Sequence, residues 1–231
     1  MLELSLVQKR RLLRNSVLLA QIDDSDADAL LADAHITRYP AGTEIFAKGD
    51  PGDSMMAVAR GRVRISAASA EGRQIVLNMI GEGEIFGEIA LLDGRERTAD
   101  ATTMTDCELL TVRRRSLLPI LRRRPELCIA LLVLLCDRLR RTSEQVEDVF
   151  FRSLEARLAK LLLRLAEERG ERTSGALRFD LKLSQRELGE IVGATRESIN
   201  KHLQLWHRAG IIDFEKGAIV IHDPHALEAY G

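Results

Sequence analysis

Short hydrophobic runs separated by turn signals fill the chain between residues 35 and 112. Seven of these runs alternate hydrophobic with polar positions or are rich in β-branched residues, and they are predicted as strands: 36–39, 44–47, 55–59, 63–67, 75–80, 99–103 and 108–112. Glycine and proline mark the turns between them, as in Pro40-Ala-Gly42 and Gly49-Asp-Pro-Gly52. Many short strands at near-regular spacing predict a β-sandwich or a β-barrel.

Helical periodicity precedes and follows this strand-rich region. Residues 1–34 carry two helical patterns, and the second has its predicted N-cap at Asp24 or Ser25. A longer pattern begins with Pro125 at the first helical position and continues to about Phe151. Within it, six residues follow one another at spacings of 4, 3, 4, 3 and 4: Leu132, Cys136, Leu139, Ser143, Val146 and Phe150. This heptad seam predicts that two copies of the helix pair in a symmetric homodimer.

The last third of the chain has the pattern of a helix-turn-helix. Ser184-Gln-Arg-Glu187 has the form of a capping box, so it predicts the start of a helix. Gly193-Ala194 predicts a turn, and Thr195 is the predicted N-cap of a second helix that Gly210 closes. Two short helices joined by a glycine turn are typical of helix-turn-helix DNA-binding proteins.

Further elements are predicted on both sides of the helix-turn-helix. A helix, a polar loop and a strand are predicted before it, over 154–169, 170–175 and 176–181. Two strands are predicted after it, over 211–214 and 218–221. The turn Glu215-Lys-Gly217 joins these two strands, so they predict the hairpin of a winged helix.

Composition indicates a globular protein of one or two domains, with 231 residues, 45% hydrophobic and 30% charged. The longest apolar run, residues 128–136, is too short to cross a bilayer, and the first residues lack the features of a secretory signal. We therefore expect a cytoplasmic protein with no membrane partner. The net charge of −1 confines any nucleic-acid surface to a local patch.

The glycine-rich stretch 81–99 carries the candidate ligand chemistry. It contains three glycines within seven positions, which allow tight turns that present backbone N–H groups: Gly81, Gly83 and Gly87. Arg97 and Thr98 follow, and a guanidinium with a neighbouring hydroxyl suits a phosphate. Glu88, which only accepts hydrogen bonds when ionised, suits a sugar hydroxyl. The stretch therefore predicts a pocket for a phosphorylated sugar.

The order Gly87-Glu88, a short run, then Arg97-Thr98-Ala99 resembles the phosphate-binding cassette of the CRP/FNR family of bacterial regulators. The resemblance implies an α+β protein that binds double-stranded DNA as a homodimer under the control of a cyclic nucleotide. It implies a β-jelly-roll cyclic-nucleotide-binding domain with N-terminal helices, a long dimerisation helix and a C-terminal winged helix-turn-helix, over 1–124, 125–152 and 153–231. In the cassette it assigns ligand binding to six residues: Gly87, Glu88, Ile89, Ala90, Arg97 and Thr98.

A polar pair interrupts the heptad seam, because Ser143 occupies a core position and Thr142 precedes it. Polar residues at such positions cost stability and often mark a register or a ligand. In the family, a Thr-Ser pair on this helix faces the purine of the bound nucleotide, so the resemblance implies that Thr142 and Ser143 contact the purine. Arg138, one turn earlier, is expected to reach Glu88 and the ribose. The alternative is a polar pair tolerated in a coiled coil.

Three residues of the second short helix are predicted to read DNA. Arg196 and Glu197 lie at its N-terminal end, where side chains reach base edges, and Lys201 follows one turn later. Arginine donates to guanine and glutamate accepts from cytosine, so a G·C-containing half-site is expected. The motif Arg-Glu-Thr-Val-Gly-Arg of the family's cyclic-AMP receptor branch, which this chain resembles most in its motifs, stands here as Arg196-Glu-Ser-Ile-Asn-Lys201. The resemblance implies a pseudo-palindrome of TGTGA-like half-sites. The predicted DNA surface also includes Ser184, Gln185 and Thr195.

The identity of the effector is open at this point. Thr98 beside Arg97 resembles domains that prefer cyclic GMP, whereas Thr142-Ser143 resembles the cyclic-AMP arrangement. We expect cyclic AMP, with cyclic GMP as the alternative. Relatives that sense redox or gas signals, or act without ligand, are a further alternative. The three cysteines are too scattered to hold an iron–sulfur cluster, and Cys136 is expected to act as a small hydrophobic residue.

No metal site and no enzymatic activity are expected. His202 and His207 are five residues apart on one helix, whereas ligands three or four apart share a face. Nothing resembling a nucleophile with its base accompanies the pocket. Two basic runs, 113–115 and 122–124, are interpreted as a solvated helix face, and the alternative is a contact surface for nucleic acid or RNA polymerase.

Overall fold

The computed structural model describes residues 10, 13, 14, 16, 19, 22–69, 74–169, 171–173, 176–180, 183–215 and 218–230. The first predicted helical pattern lies largely outside these residues, as do Lys216 and Gly217 of the predicted wing turn. The chain falls into two compact units, one up to Leu139 and one from Arg140, and the boundary falls within the longest helix.

The first unit contains two antiparallel four-stranded sheets, with strand orders β1-β8-β3-β6 and β2-β7-β4-β5 among its described residues. The strands are β1 His35–Tyr39, β2 Glu44–Phe46, β3 Ser54–Arg60, β4 Val63–Ala68, β5 Gln74–Ile80, β6 Ile85–Phe86, β7 Asp100–Thr103 and β8 Cys107–Arg113. All seven predicted strands are confirmed to within one residue at each end. The two-residue β6 was not predicted.

Strand β3 shows why the pattern of this region predicts a sandwich. Its residues are buried on both sides, and alternate positions enter different cores. Met56 and Val58 pack between the two sheets. Met55 and Ala57 pack on the other side, against the helices of the unit. Burial of a large apolar side chain contributes about 1.5–3 kcal/mol, so both faces of this central strand stabilise the unit.

Within the described residues from 22 onward, the helices that begin in the first unit are α1 Asp24–Asp33, α2 Glu88–Asp93, α3 Arg114–Arg123 and α4 Pro125–Phe151. The bounds of α4 agree with the prediction. The predicted cap of α1 is wrong by one residue, because Asp23 is the N-cap and its Oδ1 accepts from the backbone N–H of Asp26 at 2.9 Å. No helix in the described ranges combines the length and apolarity needed to span a membrane.

Most arginines of the two basic runs form hydrogen bonds to other residues of the first unit. The buried carboxylate of Asp26 accepts from Arg123 at 2.7 Å and from Arg124 at 2.9 Å. Arg114 Nε donates to the carbonyl of Leu91 at 2.7 Å, near the C-terminal end of α2. These arginines therefore join helices to one another. Arg113, Arg115, Arg122 and Arg123 are exposed, in agreement with the interpretation of the runs as a solvated face.

The second unit contains helices and a third antiparallel sheet, with strand order β11-β12-β10-β9 among its described residues. The helices are α5 Leu154–Arg169, α6 Gln185–Val192, α7 Arg196–Arg208 and α8 Pro224–Glu228, and the strands are β9 Glu171–Thr173, β10 Ala176–Asp180, β11 Ile212–Glu215 and β12 Ala218–Ile221. The polar loop predicted over 170–175 is wrong at 171–173. These residues form the edge strand β9, because backbone pairing with β10 does not require apolar side chains.

The turn between α6 and α7 is fixed by its caps. Ser184 and Glu187 form the predicted capping box, in which Glu187 N donates to Ser184 Oγ at 3.2 Å and Ser184 N donates to Glu187 Oε2 at 2.7 Å. Gly193 ends α6 with a φ of 73°. Thr195 then caps α7, with its Oγ1 accepting from Ser198 N at 3.2 Å. The predicted helix-turn-helix is confirmed.

Candidate nucleotide pocket and DNA-binding surface

Arg97 lies in the interior of the first unit, only 5% exposed. Its Nη1 donates to the carbonyl of Ser54 at 2.7 Å and to the carbonyl of Gly87 at 2.9 Å. Its Nη2 donates to the hydroxyl of Ser54 at 3.1 Å. The guanidinium carbon also lies 4.2 Å from the centroid of the Phe46 ring. Four contacts to three residues therefore fix the orientation of the guanidinium.

The positive charge of Arg97 has no carboxylate in contact with it among the described residues. Its Nε is buried and carries no hydrogen bond in this part of the chain. Burial lowers the pKa of the guanidinium, and the carboxylates of Asp53, Asp50 and Glu88 act against this shift from a distance. A buried cation with an unused donor is an arrangement that an anion would stabilise.

Glu88 begins α2 and is buried, with 1% of its surface exposed. One of its carboxylate oxygens forms an ion pair with Nη1 of Arg138, a charge–charge contact rather than an aligned hydrogen bond. Its other oxygen, Oε2, accepts no hydrogen bond from the residues described. Arg138 Nη2 also donates to the carbonyl of Ile85. The structure thus brings Glu88 and Arg138 together and leaves an acceptor of the carboxylate for another partner.

Gly87 directly precedes Glu88, and its carbonyl accepts from Arg97. It forms a left-handed turn, with a φ of 78°. An added Cβ at this position would lie 2.7 Å from Arg97 Nη1. Gly52 approaches the cassette from the loop before β3, and an added Cβ there would lie 2.2 Å from the Cβ of Ala90. The backbone around Arg97 is therefore packed too closely for side chains at either glycine.

The remaining residues predicted to bind ligand lie in different surroundings. In the cassette, Ala90 is buried, Ile89 is 43% exposed and Thr98 is exposed. Thr142 and Ser143 are exposed on α4, in the part of the helix that belongs to the second unit. Their role toward a purine stays a prediction.

Sequence reasoning missed the residues that hold Arg97. Ser54 accepts two hydrogen bonds from Arg97, although it lies 43 positions earlier in the chain. Phe46 packs against the same guanidinium. One of the Ser54 contacts is to a backbone carbonyl, for which the sequence has no signal.

Arg196, Glu197 and Lys201 are exposed on α7, on the side of the helix away from its buried residues. Hydrogen bonds from the backbone N–H of Glu197 itself and from Thr195 lower the pKa of the Glu197 carboxyl, with a smaller effect from Arg196. This carboxylate is therefore ionised and acts as an acceptor at neutral pH. The structure brings these three side chains together on one surface.

The other residues predicted for this surface make contacts within the unit. The hydroxyls of Ser184 and Thr195 are used in the two helix caps. Gln185 Nε2 donates to Oδ1 of Asn200 at 3.2 Å, which links the start of α6 to the exposed face of α7. Asn200 was not among the predicted DNA-binding residues.

Two family models match the chain over separate ranges. The model of the cyclic nucleotide-binding domain matches residues 36–124, which include the cassette. The model of the Crp-like helix-turn-helix domain matches residues 156–230, which include α6 and α7. A nucleotide-binding domain and a DNA-binding domain are thus present in one chain.

Several known proteins are similar to this chain over a length that includes both domains. A CRP-like cAMP-activated global transcriptional regulator of Mycobacterium tuberculosis is 35% identical, over 89% of this chain and 92% of the relative. The solved structure of the c-di-GMP-responsive global regulator CLP of Xanthomonas campestris has a TM-score of 0.76 at 27% identity, over 87% of this chain and 99% of that one. A transcriptional regulator of the CRP/FNR family from Thermus thermophilus has a TM-score of 0.68 at 29% identity, over 85% and 97%. The chain therefore belongs to the CRP/FNR family of transcription regulators, which join a cyclic-nucleotide-binding domain to a DNA-binding helix-turn-helix.

Proposed function

We propose that this protein is a homodimeric transcription regulator whose DNA binding is controlled by a cyclic nucleotide, with cyclic AMP as the effector. The observation that carries the proposal is Arg97, a buried guanidinium without a contacting carboxylate among the described residues and with an unused Nε. The proposed domains are an effector domain over 1–124, a dimerisation helix over 125–152 and a DNA-binding domain over 153–231. The proposed place of action is the cytoplasm.

The cyclic phosphate is proposed to bind at Arg97. The phosphate oxygens accept from the unused Nε and from the second N–H of Nη2. The hydrogen bonds to Gly87 and Ser54 leave these two N–H groups of the guanidinium available. The ribose hydroxyl is proposed to donate to Oε2 of Glu88. The buried carboxylate and the buried guanidinium thus receive the two polar parts of one ligand.

Cyclic AMP is proposed over other nucleotides because of the Thr142-Ser143 pair and the cAMP-activated relative of Mycobacterium tuberculosis. Two alternatives have specific support. The exposed Thr98 beside Arg97 favours cyclic GMP, and the related CLP protein is described as responsive to c-di-GMP. The relatives are transcription regulators, and we propose no enzymatic reaction for this pocket.

The proposed DNA site is a pseudo-palindrome of TGTGA-like half-sites. Arg196 would donate to guanine O6 and N7, and the ionised Glu197 would accept from cytosine N4. Lys201 keeps a positive charge but lacks the fork of an arginine, so it would discriminate less strongly at its base pair. Contact with RNA polymerase stays a prediction.

Titration calorimetry tests the pocket. The purified protein is titrated with cyclic AMP, cyclic GMP and c-di-GMP, and so are the variants Arg97→Gln and Arg95→Ala. Arg97→Gln removes the buried charge, whereas Arg95→Ala is a matched control that removes an exposed arginine two residues away. We expect wild type and Arg95→Ala to bind cyclic AMP with equal affinity. We expect Arg97→Gln to bind at least about tenfold more weakly, because a hydrogen bond to a charged group contributes roughly 1.5–3 kcal/mol.

Each other result has a defined meaning. Binding of cyclic GMP or c-di-GMP alone would change the effector and keep the pocket. Equal binding by wild type and Arg97→Gln would place the nucleotide elsewhere. The absence of heat with all three nucleotides would contradict nucleotide control.

A further inference from the structure

Asn200 is exposed on α7, four residues after Arg196. Residues four apart on a helix share a face, so Asn200 lies beside Arg196. The opposite face of α7 is buried and includes Ile199 and Leu203. Any surface that Arg196 contacts is therefore within reach of the Asn200 side chain as well.

A hydrogen bond to Oδ1 holds one end of the Asn200 side-chain amide. Its Oδ1 accepts from Gln185 Nε2 at 3.2 Å. Gln185 is the first residue of α6 and is half-buried, so this contact fixes the amide against the neighbouring helix. A carbonyl oxygen has a second lone pair, and within the described residues nothing accepts from Nδ2 of Asn200. One donor and one acceptor site of the same amide remain available.

A paired donor and acceptor on one amide match the major-groove edge of adenine. Adenine presents N7 as an acceptor and the N6 amino group as a donor, and asparagine binds both at once. In the branch motif Arg-Glu-Thr-Val-Gly-Arg, which residues 196–201 resemble, the corresponding residue is glycine, which has no side chain. This chain therefore places a base-reading group where that motif has none.

We propose that Asn200 reads one adenine in each half-site and that Gln185 is the positioning residue that orients its amide. The inference rests on the proposed function, because it requires α7 to lie in the major groove. Four residues span about 6 Å along a helix, and successive bases lie about 3.4 Å apart. The adenine therefore lies within about two base pairs of the guanine that Arg196 reads.

Selection from randomised duplex DNA tests the assignment. The full-length protein is incubated with a random duplex pool, in parallel with saturating cyclic AMP and without nucleotide, and the bound DNA is sequenced. Dissociation constants are then measured by fluorescence anisotropy for the selected duplex and its single-base variants. We expect wild type to prefer adenine at one position of each half-site by roughly 5- to 150-fold.

The variant Asn200→Ala removes the amide and keeps a good helix former at an exposed site. We expect it to lose the adenine preference, to less than about twofold, and to keep the guanine preference that Arg196 gives. Asn200→Gly, the residue of the related motif, is expected to select the same relaxed sequence. Gln204→Ala is the matched control, because it removes another exposed amide one turn further along α7 and is expected to leave every base preference unchanged.

The variant Gln185→Ala separates the orientation of the Asn200 amide from the recognition of adenine by that amide. We expect it to weaken the adenine preference in the wild-type background and to have no effect on that preference in the Asn200→Ala background. A merely structural role would weaken all sequences equally in both backgrounds. An unchanged adenine preference in Gln185→Ala would overturn the positioning role.

The outcomes distinguish the inference from the function on which it rests. If wild type selects no sequence under either condition, the proposed function fails and the inference fails with it. If wild type selects a site and Asn200→Ala selects the same bases, only the inference fails. Equal weakening by Asn200→Ala on every duplex would show that Asn200 contacts phosphate, which also overturns the inference.

Discussion

Gly87 is the residue on which the geometry of the proposed pocket depends most directly. Its φ of 78° lies in the left-handed region, where a side chain costs roughly 1–2 kcal/mol. Its carbonyl accepts from Arg97 at 2.9 Å, and an added Cβ would lie 2.7 Å from Arg97 Nη1. A single methyl group at this position therefore strains the backbone and displaces the guanidinium.

We expect Gly87→Ala to weaken cyclic AMP binding by roughly 10- to 100-fold, because a displaced guanidinium loses a charged hydrogen bond. Gly42→Ala is the matched control. Gly42 has a φ of 77° but no atom within 4 Å of an added Cβ, so it carries the same backbone strain without the collision. Thermal unfolding should show that both variants are destabilised, Gly87→Ala more strongly because only it carries the collision, and calorimetry should show weakened binding only for Gly87→Ala. Equal affinity in both variants would contradict the role of Gly87.

The elements of the fold differ in how far the sequence determined them. Seven strands were predicted because alternation over four or more residues is a signal that local sequence carries. Strand β6, Ile85–Phe86, has two residues and shows no period. Strand β9, Glu171–Thr173, is polar and is defined by its backbone pairing with β10. Strands that are too short or too polar to show a period, and that are defined by their backbone pairing, therefore escape an analysis of local pattern.

The residues of the candidate site also differ in whether a local sequence pattern predicts them. Glu88 and Arg97 were identified because the cassette is contiguous in sequence. Ser54 was not, because its contact with Arg97 joins residues 43 positions apart and uses a backbone carbonyl. Asn200 was not, because its contact with Gln185 appears only once α6 and α7 are packed together. Sequence thus singled out Glu88 and Arg97, which are proposed to bind ligand, and the structure adds the contacts of Ser54 with Arg97 and of Gln185 with Asn200.

Helices α1 and α3 are joined by a carboxylate whose pKa makes the link sensitive to acid. Arg115 Nε donates to Asp33 at 2.8 Å, and the hydroxyl of Ser116 donates to the same carboxylate at 2.7 Å. The Arg115 and Ser116 hydrogen bonds hold the pKa of Asp33 well below its usual range. A carboxyl with a lowered pKa in the folded state contributes stability above its unfolded pKa of about 4, and this contribution is lost as pH falls further.

We expect Asp33→Asn to lower the free energy of unfolding at neutral pH by a small amount, because Arg115 is mostly exposed and solvent screens the pair. The difference from wild type should be constant above about pH 5 and should shrink as pH falls below about 4. Urea unfolding across this pH range measures it. Arg115→Ala is the partner variant, and adding Asp33→Asn to it should change stability less than Asp33→Asn alone. A difference that grows toward low pH would contradict the assignment.

At the scale of the whole molecule, α4 presents an apolar surface that is exposed in the part of the chain that the structure describes. Leu132, Leu139 and Phe150 belong to the heptad seam and are 59%, 67% and 77% exposed. Apolar residues repeated at heptad spacing along a 27-residue helix are typical of a helix that pairs with a second copy. A palindromic DNA site would require this pairing, because each copy brings one recognition helix.

We expect Leu139→Glu to convert the protein from a dimer to a monomer, because two like charges would face each other across the seam. Arg141→Glu is the matched control, since two helical positions turn it about 200° away from Leu139 and it is exposed. Sedimentation velocity measures the assembly, and anisotropy measures binding to a palindrome and to a single half-site. Loss of the second recognition helix should weaken palindrome binding by at least about 100-fold and half-site binding far less. A Leu139→Glu variant that sediments as a dimer would show that another surface forms the dimer.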